Sequence, residues 1–293
     1  LVNRPSILDF APERSMIARL IEGGYCVYLL AWQPPGHARR FVSLSDYIVG
    51  DIGDALARIH HDHAQCPHLL GVCQGGVLAL CYAALASRYS NTDARQIRSL
   101  TTLATPLDTG HPGDRLAELA RGIDFPALVK ATGNIAGEPL AGVFASLKPF
   151  ALGPRRYSQL HTLMEQGSEA VAEFMRMERW MYDCPDLAGQ AFAEFAEQIY
   201  QHNALKNGSL IIDETPIALE AIEVPVFSAY ANDDHLVPPR SARGLSAHVD
   251  TDCTELALAG GHLGLFISSR AHRELYPALL SWLSMYLCRC TAA

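Results

Sequence analysis

Residues 69–78 read "LLGVCQGGVL", and the five in the middle, from Gly71 through Cys73 to Gly75, decide how the rest of the chain is read. They follow the apolar run "PHLLGV" and precede the helical pattern "GVLALCYAALASR". A G-x-nucleophile-x-G sequence between a strand and a helix is the nucleophile elbow, here with cysteine where serine is usual. The spacing has a physical cause. The nucleophile sits on a sharp, strained turn, and flanking glycines remove side chains that would collide there. A helix N-terminus beside the sulfur favours thiolate, because the positive end of the helix dipole faces it. The plainer alternative is a buried structural cysteine in a glycine-rich turn. Cys81, two turns along the same expected helix, has no flanking glycines and reads as such a core residue.

Working outward, further apolar runs look like buried parallel strands: "VYLLAW" (27–32), "PHLLGVC" (67–73), "SLTTLATP" (99–106), "VPVFSAYA" (224–231) and "TELALA" (254–259). Helical patterns lie between them. Ile48, Ile52, Leu56 and Ile59 recur at helical spacing on one face, and residues 76–87 and 269–287 also read as helices. Strands alternating with helices imply an α/β fold, a mostly parallel sheet flanked by helices on both faces. The alternation lapses between about Thr105 and Glu223, where "EAVAEFMRMERWMYD" and "AGQAFAEFAEQIY" are helical and strand signals are few. The expected organisation is an α/β-hydrolase core of residues 1–105 and 223–293, with a largely helical cap, 106–222, inserted between core strands.

In an elbow enzyme of this architecture the chain order is nucleophile, acid, histidine, each at a strand end. Asp233 and Asp234 follow "VPVFSAYA", in "ANDDHLVPP", and His262 follows the last strand, in "LALAGGHLGLF". Alone, an Asp pair at a strand end is turn chemistry and a loop histidine is only that. Their order and placement together point to catalysis. An oxyanion hole needs backbone donors: the N–H of Gln74, and one from an earlier loop. The opening "LVNRP" supplies the second, with Val2 as the expected donor. The chain opens on Leu1 and reads as interior sequence, so an upstream strand and segment are expected to precede it. Cysteine suits acyl transfer from a thioester. Attack by a thiolate yields another thioester, which stays activated for a hydroxyl acceptor, whereas serine would lose that activation at once.

Composition limits the alternatives. The 293 residues are 49% hydrophobic and 18% charged, with a formal net charge of -8, so no basic face for nucleic acid is indicated. The longest apolar stretch, "LYPALLSWLSMYLC", is too short to span a membrane and reads as a core helix. Eight cysteines lack framework spacing, and with no secretory signal they are read as reduced thiols of a cytoplasmic protein. "CRC" at 288–290 has no second pair to complete a metal site, and "HHDH" at 60–63 reads as a solvated helix end, so no metal is expected.

The cysteine elbow, "LVNRPSILDF", "GVCQGGVLALCYAAL", "LKPF", "FMRMERWMYDCPDLAGQAF", "YANDDHLVPP" and "GGHLGLF" together resemble the poly(3-hydroxyalkanoate) synthases, most closely the catalytic subunits of the class III type. The resemblance implies Cys73 as acyl-bearing nucleophile, His262 as general base and Asp234, which precedes a histidine as in the family, as third member. His235 is then a structural neighbour. Trp180 and Asp183 match family positions near the active site. The implied activity is an acyltransferase that polymerises (R)-3-hydroxyacyl-CoA into polyhydroxyalkanoate, with coenzyme A released and no permanently bound cofactor. A second subunit of the PhaE type, a homo-oligomer and a place at the surface of cytoplasmic polyester granules are implied in the same way. Two other readings stay open: a cysteine thioesterase or lactone hydrolase of the same fold, and an inactive homologue serving as a scaffold. Arg155 and Arg156 are candidates for CoA phosphate contacts.

Overall fold

Four of the five apolar runs expected to be strands lie side by side in one sheet. The computed structural model describes residues 3–86, 96–147 and 157–286. Along the chain its strands are β1 (His68–Val72), β2 (Ser99–Leu103), β3 (Ile211–Ile212), β4 (Thr215–Pro216), β5 (Val226–Ala231) and β6 (Cys253–Leu258). The main sheet has the order β1-β2-β5-β6, and β3 and β4 form a separate antiparallel pair. Every pairing in the main sheet is parallel, with Val72 beside Leu103, Leu103 beside Ala229 and Ala229 beside Leu256. That register brings the carboxyl ends of the strands to one edge, where ligands bind in open α/β sheets.

Both faces of the sheet are covered, which is why its strands read as continuous apolar runs rather than alternating ones. All five residues of β2 are buried. One face packs against the helix Gln74–Ala86 and the helical run Asp46–His63, whose first part is π-helical. Ile48, Ile52 and Leu56 from the expected stripe are buried there. The Gln74–Ala86 helix is apolar all round because it is enclosed on all sides, with Val77 through Leu85 at most 6% exposed. The other face packs against Met16 and the C-terminal helical run, where Leu279, Trp282 and Leu283 are buried. Among the described residues no helix is long and apolar enough to cross a membrane.

"VYLLAW" is the exception: residues 27–32 form no strand, and Tyr28, Leu29 and Leu30 are exposed. A strand needs a ladder partner within hydrogen-bonding distance. Among the described residues β1 is an end strand that pairs with β2 alone, and residues 27–32 form no ladder with it.

Between β2 and β5 the described chain is helical apart from the β3–β4 pair. Its helices include Arg115–Ala120, Phe125–Thr132, Gly137–Ser146, Ser168–Tyr182 and Gly189–Phe195, the last running into a π-helical turn at Ala196–Gln201. Asp114 and Asp124 each cap the following helix, their carboxylates accepting from Ala117 N and Ala127 N. The Ser168–Tyr182 helix lies against the N-terminal segment: Trp180 Nε1 donates to Arg4 O at 2.8 Å, and Asp183, just beyond its end, takes both forks of the Arg4 guanidinium.

Candidate active site

Cys73 stands between β1 and the Gln74–Ala86 helix with φ +51, the left-handed backbone conformation that an L-residue adopts only when its surroundings impose it. Its N–H donates to Leu103 O at 2.7 Å, extending the β1–β2 ladder by one bond, and its C=O accepts from Gly76 N at 3.0 Å. Strand and helix together therefore pin the turn. The glycines behave differently from one another. A Cβ on Gly71 would lie 2.4 Å from Gly75 O, so this position admits no side chain. A Cβ on Gly75 would meet nothing within 4 Å, whereas one on Gly76 would fall 1.8 Å from Thr105 Oγ1. The close approaches that shape the elbow are thus at Gly71 and Gly76, and the sequence expectation that Gly75 avoids a clash is corrected. Gly76 lets the helix pack down on the loop after β2.

The two other predicted members converge. His262 Nδ1 lies 2.7 Å from Asp234 Oδ2, and both side chains are buried. The other Asp234 oxygen accepts from Leu236 N at 2.9 Å and Val237 N at 3.0 Å. This is an Asx turn in "DHLV", a local signal in the sequence for which of the two aspartates folds inward. Asp233 turns away from the imidazole: its N–H donates to Gly260 O at 2.9 Å and its carboxylate accepts from Gly260 N at 3.2 Å. It ties together the two loops that carry Asp234 and His262, and Gly260 makes the histidine loop possible with φ +121. The His262 ring rests edge-on against Phe266, centroids 5.8 Å apart.

Burial alone would push the His262 pKa down. The charge and hydrogen bond of Asp234, joined by Cys73, outweigh it and raise the pKa to about 10. With Asp234 holding Nδ1, the ring nitrogen left for the sulfur is Nε2. Among the described residues no group of three His, Cys, Asp or Glu is placed to hold a metal ion.

Cys73, Gln74, Tyr200, His235 and His262 line one large cavity of about 1520 Å³, which is walled mostly by apolar side chains, including Leu119, Ile123, Leu140 and Phe144. Gln74 opens the helix, where the first N–H groups have no intrahelical partner, so its N–H is available as a donor. Val2, Arg155, Arg156, Cys288 and Cys290 lie outside the described residues. Trp180 lines the same cavity as Cys73, and Asp183 pairs with Arg4. Cys81 is 1% exposed, and burial pushes its thiol up to about 12. Sequence reasoning missed three features. Tyr200 enters the cavity from a helix far along the chain; Thr105 packs on Gly76; and Arg4 binds the end of the Ser168–Tyr182 helix. No local pattern announces them.

A family model described as alpha/beta hydrolase fold matches residues 8–268. Solved structures with similar folds include a thermophilic esterase from Thermogutta terrifontis, at 14% identity and TM-score 0.53, covering 97% of this chain and 86% of that one. Another is described under LipS and LipT, two metagenome-derived lipolytic enzymes, at 14% identity and TM-score 0.55, covering 97% and 90%. Identities this low speak for the fold alone. Sequence relatives go further. The chain is 38% identical to the poly(3-hydroxyalkanoate) polymerase subunit PhaC of Allochromatium vinosum over 97% of its own length and 78% of that protein's. It is 36% identical to the subunit of the same name from Thiocystis violacea, with the same coverages, and 35% identical to that of a Synechocystis strain, covering 97% and 75%. With its matched α/β-hydrolase fold and these relatives along nearly its whole length, the chain belongs to the poly(3-hydroxyalkanoate) polymerase PhaC family, a family of acyltransferase enzymes.

Proposed function

We propose that the chain polymerises (R)-3-hydroxyacyl-CoA into polyhydroxyalkanoate through a covalent acyl-Cys73 intermediate, releasing coenzyme A. The observation that carries this reading is the buried Asp234–His262 pair facing a strained Cys73 at the end of β1. His262 Nε2 takes the S–H proton, and the sulfur attacks the thioester carbonyl carbon. The C=O electron pair moves onto oxygen, where the N–H groups of Gln74 and Val2 hold the oxyanion. Collapse of the intermediate breaks the bond to the CoA sulfur, and the imidazolium gives its proton to the departing thiolate. The 3-hydroxyl of another unit then loses its proton to His262 and attacks the acyl-thioester. A new ester bond forms, and the Cys73 sulfur leaves and regains the proton.

The electrostatics fit both halves of this cycle. Before acylation Cys73 and Asp234 together favour the charged imidazolium. Acylation removes the thiol's contribution, so burial weighs more heavily and the imidazole becomes a readier base for the hydroxyl. In this reading residues 106–222 act as a cap over the core of 1–105 and 223–293, keeping water from the thioester. A PhaE-type second subunit, self-association and residence at a cytoplasmic granule surface complete the proposal, and no permanently bound cofactor is invoked.

The test supplies 3-hydroxybutyryl-CoA and follows CoA release, insoluble polyester and the mass of the Cys73 peptide. Polyester together with a 3-hydroxybutyryl adduct on Cys73 is the expected result. Free 3-hydroxybutyrate as the sole product would overturn polymerisation in favour of hydrolysis.

A further inference from the structure

Two polar groups in the cavity have no part in the chemistry above. The Gln74 side chain is 7% exposed, and its amide oxygen is buried without a hydrogen-bond partner among the described residues. The half-buried Tyr200 lines the same cavity, with its ring set edge-on to Phe195, 5.8 Å between centroids. Tyr200 sits on the π-helical turn Ala196–Gln201, a local irregularity that recurs at functional sites. The turn is anchored, since Gln201 Nε2 donates to Ala120 O at 2.7 Å and to Ile123 O at 2.8 Å. Burial, reinforced by the nearby charges of Cys73, Asp114 and Asp234, raises the Tyr200 pKa, so the phenol keeps its proton and remains a donor. Buried polar groups in native proteins are almost always paired, so the unpaired Gln74 oxygen, with the Tyr200 phenol lining the same cavity as Cys73, calls for a ligand.

We propose that Gln74 and Tyr200 recognise the 3-hydroxyl of the acyl thioester, the Gln74 amide oxygen accepting its proton and the Tyr200 phenol donating to its oxygen. A hydroxyl is the group that both gives and takes one hydrogen bond, and elsewhere the walls of the cavity are mostly apolar. The pair makes Cys73 selective for 3-hydroxyacyl over plain acyl chains. An acyl group lacking the hydroxyl would enter the same apolar space and offer neither polar group a partner, which is how binding sites reject such analogues strongly. The inference rests on the acyl-Cys73 reading and adds the basis of its substrate selectivity.

The experiment measures the rate of acyl-Cys73 formation by mass spectrometry with 3-hydroxybutyryl-CoA and, separately, with butyryl-CoA. The ratio of the two rates is taken within each protein, so any loss of folded material cancels. In the unsubstituted chain the ratio is expected to favour the hydroxyacyl substrate by about 100-fold or more. In Gln74→Met and in Tyr200→Phe it should fall at least about tenfold, mainly through slower hydroxyacyl transfer. A ratio that stays within about twofold of the parent in either variant would overturn the pair while leaving the acyl-Cys73 reading intact. Failure of the parent to form acyl-Cys73 from 3-hydroxybutyryl-CoA would overturn both.

Discussion

Cys73 and Cys81 are two turns apart at the start and middle of one helix, and the fold treats them as different chemical species. Cys73 is held at positive φ before the first helical N–H groups, lines the cavity and, with Asp234, helps raise the pKa of the buried His262 imidazole. Cys81 is enclosed by apolar side chains on all sides, and burial lifts its thiol to about 12. Same side chain, same helix, opposite outcome. In the proposed mechanism, what sets the Cys73 nucleophile apart from Cys81 is the turn and the partners brought to it, since residue type and apolar flanks are common to both sites.

The sharpest way to break that contrast is to change Cys73. Cys73→Ala should reduce CoA release from 3-hydroxybutyryl-CoA by about 10⁴-fold or more. Cys73→Ser should sustain no turnover, because its ester with the substrate has lost the thioester's activation. Normal CoA release from either variant would remove Cys73 from the mechanism. Next in size come the groups that serve it. Asp234→Asn should cost about 10³- to 10⁴-fold, because an amide neither holds the imidazole in the right tautomer nor stabilises its charge. Asp233→Asn should cost far less.

The same pair has a pH signature. His262 has a folded-state pKa of about 10 against 6.5 in the unfolded chain. A raised pKa contributes stability that is fully present below about 6.5 and is lost as pH rises through about 10. The melting temperature of the parent should therefore fall toward that of His262→Gln as pH climbs through this window. A constant gap between the two melting curves would mean that the imidazole carries no extra proton in the folded state.

Part of this was legible in the sequence, for reasons that can be named. β1, β2, β5 and β6 were readable because burial on both faces writes a continuous apolar run. His262 and the pair Asp233–Asp234 stood out because they follow such runs beside turn-forming residues, whereas the choice of Asp234 over Asp233 came from the family resemblance. Residues 27–32 carry the same kind of run, yet a strand exists only with a neighbour, and composition cannot say whether one is within reach. Gly75 and Gly76 look alike on paper. The contact with Thr105 that separates them joins residues distant in the chain and exists only once β2 pairs with β1. Tyr200 was hidden for the same reason, since a tyrosine on an amphipathic helix usually signals core.

The glycines give a test of intermediate size. Gly76→Ala forces a Cβ into Thr105, a buried β-branched residue with little room to rotate, and should destabilise the fold by about 1–3 kcal/mol. Gly75→Ala meets open space within the helix and should be neutral or stabilise by up to about 1 kcal/mol. Thr105→Ala placed alongside Gly76→Ala should recover part of the loss. Equal destabilisation by the two single substitutions in urea titration would show that the elbow is set by the motif glycine at 75 rather than by the approach of the helix to the β2 loop.

The smallest expected effect closes the contrast from the other side. Cys81→Ala removes one buried sulfur from a tightly packed helix and should cost about 1–2 kcal/mol, the lower range for a small side chain truncated in a core. CoA release by the folded protein should stay within about twofold of the parent, since the helix still presents Gln74 and Cys73 at its start. Iodoacetamide at pH 8 should label Cys73 readily and reach Cys81 only when the helix is uncovered, because burial both excludes the reagent and keeps the thiol protonated. Prompt labelling of Cys81 in the native protein would mean that the helix behind Cys73 opens freely. A turn strained at Cys73 could not then be held in place by it.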